Sequence, residues 1–457
     1  GRFRGVEQGE MLLGRTSWYG GIVEDLTPAM RADMERTGRA GDRCRRGAGE
    51  PEPGRAGDAA AGHRAGVHPI GDSLTDEYFE PFFQWGFCGK SWAEILVETG
   101  RASMGPTAQQ AGISEPEGWS DPRNTGYQHN WARYSWSSSD ALTEESPGAT
   151  LSVLLGAEYA VVFIGTNDFN PSWPAYQSVY LSQWSDEQID TYVNGVVQNI
   201  AQMVDSLKSV GAKVVLAPPV DFQFAGFLRN SCPDPMLREQ AGILTRKCHD
   251  RVRSMARQKH VVFVDMWRLN RDLFGNGFAI SYGLRNTVRV GDSEIGLQLA
   301  GLTGSAGLVP DGIHPQRVVQ GIWANAFIVG LNAHGANIAP IGEAEMCAMG
   351  GVVYGGTDTL ANFLPPVAGY VEDFRNAGDF VCTADFNHDL GVTPTDIFAF
   401  INAWFMNDPS ARMSNPEHTQ IEDIFVFLNL WLVGCGRVGR GSAHFARLEE
   451  DDGDGEE

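Results

Sequence analysis

The sequence predicts a three-layer α/β domain on a doubly wound parallel sheet, followed by a small all-α unit. Three observations carry that expectation. Runs rich in Val and Ile at 160–164 (AVVFI), 213–217 (KVVLA) and 260–264 (HVVFV) have the continuous apolar character of strands buried on both faces. Segments of helical length and period lie between them, which implies crossover connections and a sheet covered on both sides. Near the C-terminus the nonapeptide at 396–404 (DIFAFINAW) returns at 423–431 (DIFVFLNLW), an offset of 27 with six identities in nine positions, so one helix is duplicated.

Taken in order, residues 1–65 are low in complexity and rich in Gly, Ala and Arg, with no apolar period, and are expected to be disordered. The α/β domain is expected over 66–336. A helix is expected near 91–97. The clearest helix starts at Ser185, with Gln188 three residues on as a capping box, and its apolar face is Ile189, Tyr192, Val193, Val196, Val197, Ile200, Met203, Val204 and Leu207. Gly211 stands where a helix C-cap would. Residues 337–380 read as a connector, 381–436 as the helical pair and 437–457 as a disordered acidic tail.

Composition narrows the function. The chain of 457 residues has 42% hydrophobic residues and a net charge of -22, from 57 acidic and 35 basic residues. That balance disfavours a nucleic-acid partner, which needs clustered Lys and Arg. It suits a protein that handles cations. No apolar run is long enough for a membrane span, and no signal peptide is visible. The seven cysteines show no zinc spacing.

Three short motifs carry chemistry. Gly71-Asp72-Ser73-Leu74 places a serine at a strand-to-helix turn, with its backbone N–H where an oxyanion would sit. His68 and Pro69 replace a longer apolar run before it, so either that strand is short or the sequence there is damaged and the real strand is missing. Gly165-Thr166-Asn167-Asp168 follows the strand ending at Ile164 and offers a side-chain amide to an oxyanion. Asp311-Gly312-Ile313-His314-Pro315 sets a carboxylate three residues before a histidine, a spacing that lets the acid orient the imidazole. Each motif alone is ordinary turn chemistry. Asp72 and Asp168 read as turn-stabilising carboxylates, His129 as structural, and Trp131, Trp136 and Trp173 as packing residues that have the faces to stack on a sugar.

In order and spacing the three blocks resemble the GDSL, or SGNH, family of esterases and lipases, over about 66–336. The resemblance implies a flavodoxin-like α/β fold and a carboxylic ester hydrolase that works through an acyl-enzyme without a catalytic cofactor. It makes Ser73 the nucleophile, His314 the general base and then acid, and Asp311 its orienting carboxylate. Asn167 and the Ser73 N–H would form the oxyanion hole. A further family block is matched by Asn130-Trp131-Ala132-Arg133-Tyr134-Ser135, and the family's third oxyanion donor, a glycine, falls on Ser135.

The loop Asp385 to Asp396 has oxygen side chains at positions 1, 3, 5, 9 and 12, as in an EF-hand. Position 6 is Leu390 rather than Gly. With the duplicated helix, this resembles a dockerin-type repeat. The resemblance implies one structural calcium held by Asp385, Asn387, Asp389, Gly391, Thr393 and Asp396, a cohesin-like partner, and secretion by analogy. The second copy has Arg412, Ser414 and Pro416 at the first ligand positions and is expected to keep only its helix. Cys382 and Cys435 bracket the pair and are candidates for a disulfide. The expected substrate is an ester, carbohydrate or small, and an acetylated glycan is favoured by association with the docking module. The competing reading is an inactive SGNH-fold protein whose role is docking.

Overall fold

The computed structural model describes residues 64–79, 85–86, 88–114, 118–119, 125–154, 156–225, 231–275, 287–356, 359–376, 384–387, 392, 394–414 and 417–433. The segments expected to be disordered at the two ends lie outside these, apart from Arg64 and Ala65. The strands are β1 (Ala65–Gly71), β2 (Ala102–Ser103), β3 (Tyr159–Phe163), β4 (Lys213–Ala217), β5 (Val262–Val264), β6 (Thr287–Val290), β7 (Ser293–Ala300), β8 (Ala306–Leu308) and β9 (Val371–Asp373). The helices used below are α1 (Trp92–Glu98), α2 (Asp186–Ser209), α3 (Ile243–Gln258), α4 (Met266–Phe274), α5 (Arg317–Ala333), α6 (Glu343–Gly350), α7 (Pro394–Phe405) and α8 (Ile421–Val433).

The main sheet has the order β2-β1-β3-β4-β5-β9, and its first five strands run parallel. This is the doubly wound order in which the chain reverses direction at β1 and β3, and ligands of such sheets bind beyond the carboxyl ends of the strands there. Successive strand residues point to opposite faces. Val161 and Phe163 therefore join a core with α1, α4 and α5, while Ala160, Val162 and Ile164 join another with α2 and α3. The two cores are the two interlayer spaces of a three-layer domain. The capping boxes of α1 (Ser91 with Glu94) and α2 (Ser185 with Gln188) both form, and Gly211 takes φ 88 just past α2.

The sheet departs from the expected pattern in three places. First, β1 is seven residues long and almost wholly buried, despite His68 and Pro69. Proline is tolerated there because β1 pairs with β2 only at Ala65 and Gly66. Farther along, the carbonyls of Pro69 and Gly71 accept N–H groups from Trp131 (3.0 Å) and Arg133 (3.1 Å), an arrangement that does not use the missing proton. Second, the sheet is mixed: β9, inside the expected connector, runs antiparallel to β5 at the edge. Arg253 on α3 clamps that strand through both Glu372 oxygens, at 2.6 and 2.7 Å. Third, β6, β7 and β8 form a separate three-stranded sheet that delivers the chain to α5. Among the described residues, no helix is long and apolar enough to cross a membrane.

In the C-terminal pair, Phe400 and Phe427, 27 residues apart, stack at 4.2 Å with Phe386 edge-on to both. The duplication in the sequence is therefore a local pairing of equivalent side chains.

Candidate active site

Gly71 ends β1, and the chain turns sharply through Asp72, Ser73 and Leu74. Asp72 Oδ1 accepts the Leu74 N–H (3.0 Å), and the Asp72 carbonyl accepts from Thr75 (2.9 Å) and Asp76 (3.0 Å). The turn leaves no room at Gly71, where a Cβ would stand 2.8 Å from the Thr75 side chain and 2.9 Å from the Phe163 carbonyl. Two helices hold it from outside. Trp92 Nε1 on α1 donates to Thr75 Oγ1 (3.1 Å). Gln320 on α5 donates to the Leu74 carbonyl (3.4 Å) and the Tyr78 hydroxyl (2.8 Å) while accepting the Trp92 N–H (3.0 Å). Ser73 itself is buried.

The third motif, Asp311 to Pro315, comes from the turn after β8. Val309 donates to the His314 carbonyl and Gln316 to the Gly307 carbonyl, both at 2.8 Å, which closes the turn. Asp311 Oδ1 accepts the N–H groups of Ile313 (2.8 Å) and His314 (3.0 Å), and its Oδ2 stands 2.6 Å from His314 Nδ1. The carboxylate is thus fixed by two amides before it meets the ring, so it orients the imidazole rather than following it. His314 lies against the serine turn: Tyr78 packs edge-on to the imidazole at 5.8 Å, and the Asp72 carboxyl is close enough to feel its charge. The Asp311–His314 pair is thus brought against the turn that bears Ser73, more than two hundred residues earlier in the chain.

Asn167 follows β3 at the carboxyl edge and is buried; its Nδ2 donates to the Trp136 carbonyl (3.0 Å). That bond joins it to the segment bearing Ser135. The same segment is tied to the serine turn by Asn130 Nδ2, which donates to the Thr75 carbonyl (3.1 Å). Ser135 is exposed and has φ 60, a left-handed conformation that favours glycine. The residue assigned to a glycine position by motif alignment thus has a glycine's backbone. Asp168, expected to stabilise its own turn, accepts both the N–H (2.8 Å) and the hydroxyl (2.9 Å) of Ser138 and so ties the turn to a distant segment. His129 lies against His68 with ring centroids 4.4 Å apart and the rings tilted by 34°.

Burial dominates the electrostatics. It pushes the Asp72 carboxyl up to about 7 and that of Asp168 up to about 6. Glu145, wholly buried, is raised well above the carboxylic range by the same cause. Sequence reasoning missed Tyr78, Gln320 and Glu145. Tyr78 lies five residues past the serine in a strongly acidic stretch, and the partners of Gln320 and Glu145 are 74 to 246 residues away, so no local pattern marks them.

A buried serine, a histidine and an orienting carboxylate at the carboxyl edge of a doubly wound sheet are the parts a serine hydrolase uses. Residues 70–284 match the model of the GDSL-like lipase/acylhydrolase family, a little under half of the chain. The match supports an esterase- or lipase-type hydrolase acting on ester substrates, and an SGNH-type α/β fold for that region. It includes Ser73, Ser135 and Asn167 and ends before Asp311, His314 and the C-terminal repeat. No curated protein matches the chain.

Of the residues expected to bind calcium, Asp389, Gly391 and Thr393 lie outside the described residues. Asp385 and Asp396 are buried, and Asp396 Oδ1 accepts the Asn387 N–H (3.1 Å). Among the described residues, no three His, Cys, Asp or Glu side chains form a metal cluster. In the second copy Asp423, equivalent to Asp396, accepts from the N–H groups of Met413 (2.9 Å), Ser414 (2.6 Å) and Gln420 (2.7 Å). That loop uses amides to satisfy its carboxylate. Cys382 and Cys435 lie outside the described residues, and the described cysteines Cys88, Cys232, Cys248 and Cys347 are free and buried.

Proposed function

We propose that the protein is a serine esterase that cleaves carboxylic esters through an acyl-enzyme. The observation that carries the reading is the 2.6 Å contact of Asp311 Oδ2 with His314 Nδ1, made by a ring packed against the Ser73 turn. Ser73 Oγ attacks the ester carbonyl carbon as His314 Nε2 takes its proton. The N–H of Ser73, the Asn167 amide and the Ser135 N–H receive the oxyanion, each donor contributing about 2.7–4 kcal/mol in the transition state. His314 then protonates the departing alkoxide. Water, deprotonated by the same ring, attacks the acyl-enzyme and frees Ser73. In the resting state Asn167 donates to Trp136, so the amide has to turn toward substrate or share its second proton.

The acyl groups we assign are short, and the alcohol is a carbohydrate. Trp136 and Trp173 are half-buried next to the Asn167 turn and supply faces for a sugar ring. The C-terminal loop, in this reading, holds one calcium through Asp385, Asn387, Asp389, the Gly391 carbonyl, Thr393 and Asp396, with Asp385 and Asp396 as the buried hard-oxygen donors the ion prefers. The helical pair then docks the enzyme to a protein partner outside the cell. Ser73→Ala tests the core of the proposal. It should abolish hydrolysis of p-nitrophenyl acetate and of acetylated xylan while the melting temperature is unchanged, and turnover within tenfold of wild type would overturn the assignment.

A further inference from the structure

We infer that Glu145 is a positioning residue for the nucleophile, its carboxyl gripping the last amide before the serine turn. The inference rests on the esterase reading of Ser73. Glu145 Oε2 accepts the Gly71 N–H at 3.0 Å, across 74 residues of chain. The Gly71 carbonyl accepts the Arg133 N–H, so both ends of this residue are fixed by the wall that also bears Ser135 and by Glu145. Gly71 adjoins Asp72, and no slack exists around it, because Thr75 and Phe163 already touch the space of a Cβ. A shift of the Glu145 carboxyl therefore passes directly into Ser73.

Two further features separate Glu145 from an ordinary buried acid. It ends a π-helical stretch, Ala141–Glu145, lying between two α-helical pieces. Such one-turn π segments are rare and concentrate at functional sites, since the extra residue redirects a side chain that a regular helix would aim elsewhere. Its second oxygen, Oε1, is buried without a hydrogen-bond partner among the described residues. A charged carboxylate in that position would be costly to bury, while a protonated one carries no net charge and still accepts the Gly71 N–H through Oε2. The charged groups facing it are Arg133, which favours ionisation, and Asp76 and Asp72, which oppose it. Asp76 binds Arg133 Nη1 at 3.2 Å, so that guanidinium is shared between the two acids. Burial and the two acids raise the ionisation of Glu145 against the pull of Arg133.

The neutral form serves catalysis as well as packing. Attack on an ester places negative charge at the end of β1, and an ionised Glu145 would repel it. Activity is therefore retained below the raised ionisation of Glu145 and lost as pH rises through it. Glu145→Gln keeps an acceptor for Gly71 and the neutral charge, and removes the titration.

The experiment compares wild type, Glu145→Gln and Glu145→Ala in steady-state hydrolysis of p-nitrophenyl acetate from pH 6 to 10, with thermal unfolding of each. The expected result is a Glu145→Gln enzyme within about threefold of wild type at pH 7 whose alkaline loss of kcat is removed or moved upward. In Glu145→Ala, kcat should fall on the order of 10²-fold with KM changed far less, the scale of a displaced reacting group. Glu145→Gln losing activity to the level of Glu145→Ala while folded, or keeping the wild-type alkaline limb, overturns the inference. An active wild type matched in kcat by Glu145→Ala overturns it as well and leaves the esterase reading standing. A wild type that neither turns over esters nor is labelled at Ser73 by a fluorophosphonate overturns both. If Glu145→Ala does not fold, the Glu145→Gln pH profile decides alone.

Discussion

Replacing Asp311 by Asn alters one proton at the centre of the site and little else. The amide is nearly isosteric with the carboxylate. Its oxygen can keep both backbone bonds that now reach Oδ1, from Ile313 at 2.8 Å and His314 at 3.0 Å. The turn should therefore survive with less than about 1 kcal/mol of lost stability. The Oδ2 position, 2.6 Å from His314 Nδ1, becomes an N–H donor facing a ring nitrogen that must donate in the working tautomer. Two donors at that distance are incompatible, so the ring takes the other tautomer and carries its proton on Nε2. That nitrogen then cannot accept the Ser73 proton. Loss of the correct tautomer, and of the anion that stabilises the imidazolium, lowers kcat by about 10⁴-fold in a Ser-His-Asp arrangement, equivalent to about 5.4 kcal/mol at 1.36 kcal/mol per decade. The assay is burst and steady-state release of p-nitrophenol, with urea unfolding on the same samples. The drop should appear in both acylation and deacylation, since His314 serves both. A folded Asp311→Asn protein with kcat within tenfold of wild type would show that Asp311 does not govern the base.

Two other outcomes follow from the structure. His68 is held neutral by burial and by the neighbouring His129, with its ionisation lowered to about 3 from an ordinary value of 6.5. A depressed histidine adds stability above its unfolded value and loses it as pH falls, so the urea midpoint should fall between about pH 6.5 and 3, and His68→Phe should flatten that slope; equal slopes would refute the assignment. Titration of the full chain with calcium should give one site and raise the melting temperature, with Asp396→Ala abolishing both effects and Asp423→Ala leaving the stoichiometry at one; no heat in wild type would remove the metal from the proposal.

Much of the α/β body was legible because its strands are buried on both faces and its helices are capped by side chains close in sequence. Ser185 with Gln188 is a pattern of four residues, and the bonds it predicts form; the same box at Ser91 and Glu94 emerges only in the structure. The three motif blocks were legible for the same reason: Asp311 reaches His314 across three residues. What escaped was set by contacts that no short window contains. Strand β9 is three residues, Val-Glu-Asp, and is a strand only because β5 has an open edge and Arg253 waits for Glu372. Strand β7 has the alternation of a half-buried strand, with Ile295 and Leu297 inward, but its glycine and glutamine make the signal faint. β1 was underestimated because His68 and Pro69 were weighed as residue types, whereas their neighbours decide what they cost. Ser135 shows the reverse case, in which a family pattern located a residue whose type gave no hint of its positive φ.

The acidic character of the serine turn also has a physical explanation, and it bears on why the site is built as it is. Asp72, Asp76, Glu77, Glu94 and Glu145 would ordinarily be read as solvated charges, yet each is buried and each accepts a backbone N–H. The donors are the N–H groups of Leu74, Glu77, Tyr127, Tyr78 and Gly71, so the amides around Ser73 and its supporting wall are held by carboxyl groups brought in from several elements. Carboxyl groups suit this task because one side chain can hold two amides at fixed angles, as Glu94 does for Tyr78 and Ser91. The cost is repulsion, since five negative charges in so small a volume would prevent folding. Two features lower it: Arg133 pairs with Asp76, and burial moves Asp72 and Glu145 toward their neutral forms. The number of charges beside the serine is thus set by pH. A nucleophile placed by such a network has its geometry and its electrostatic field controlled by the same protons, so substitutions that preserve shape and alter charge should move the pH profile before they move stability.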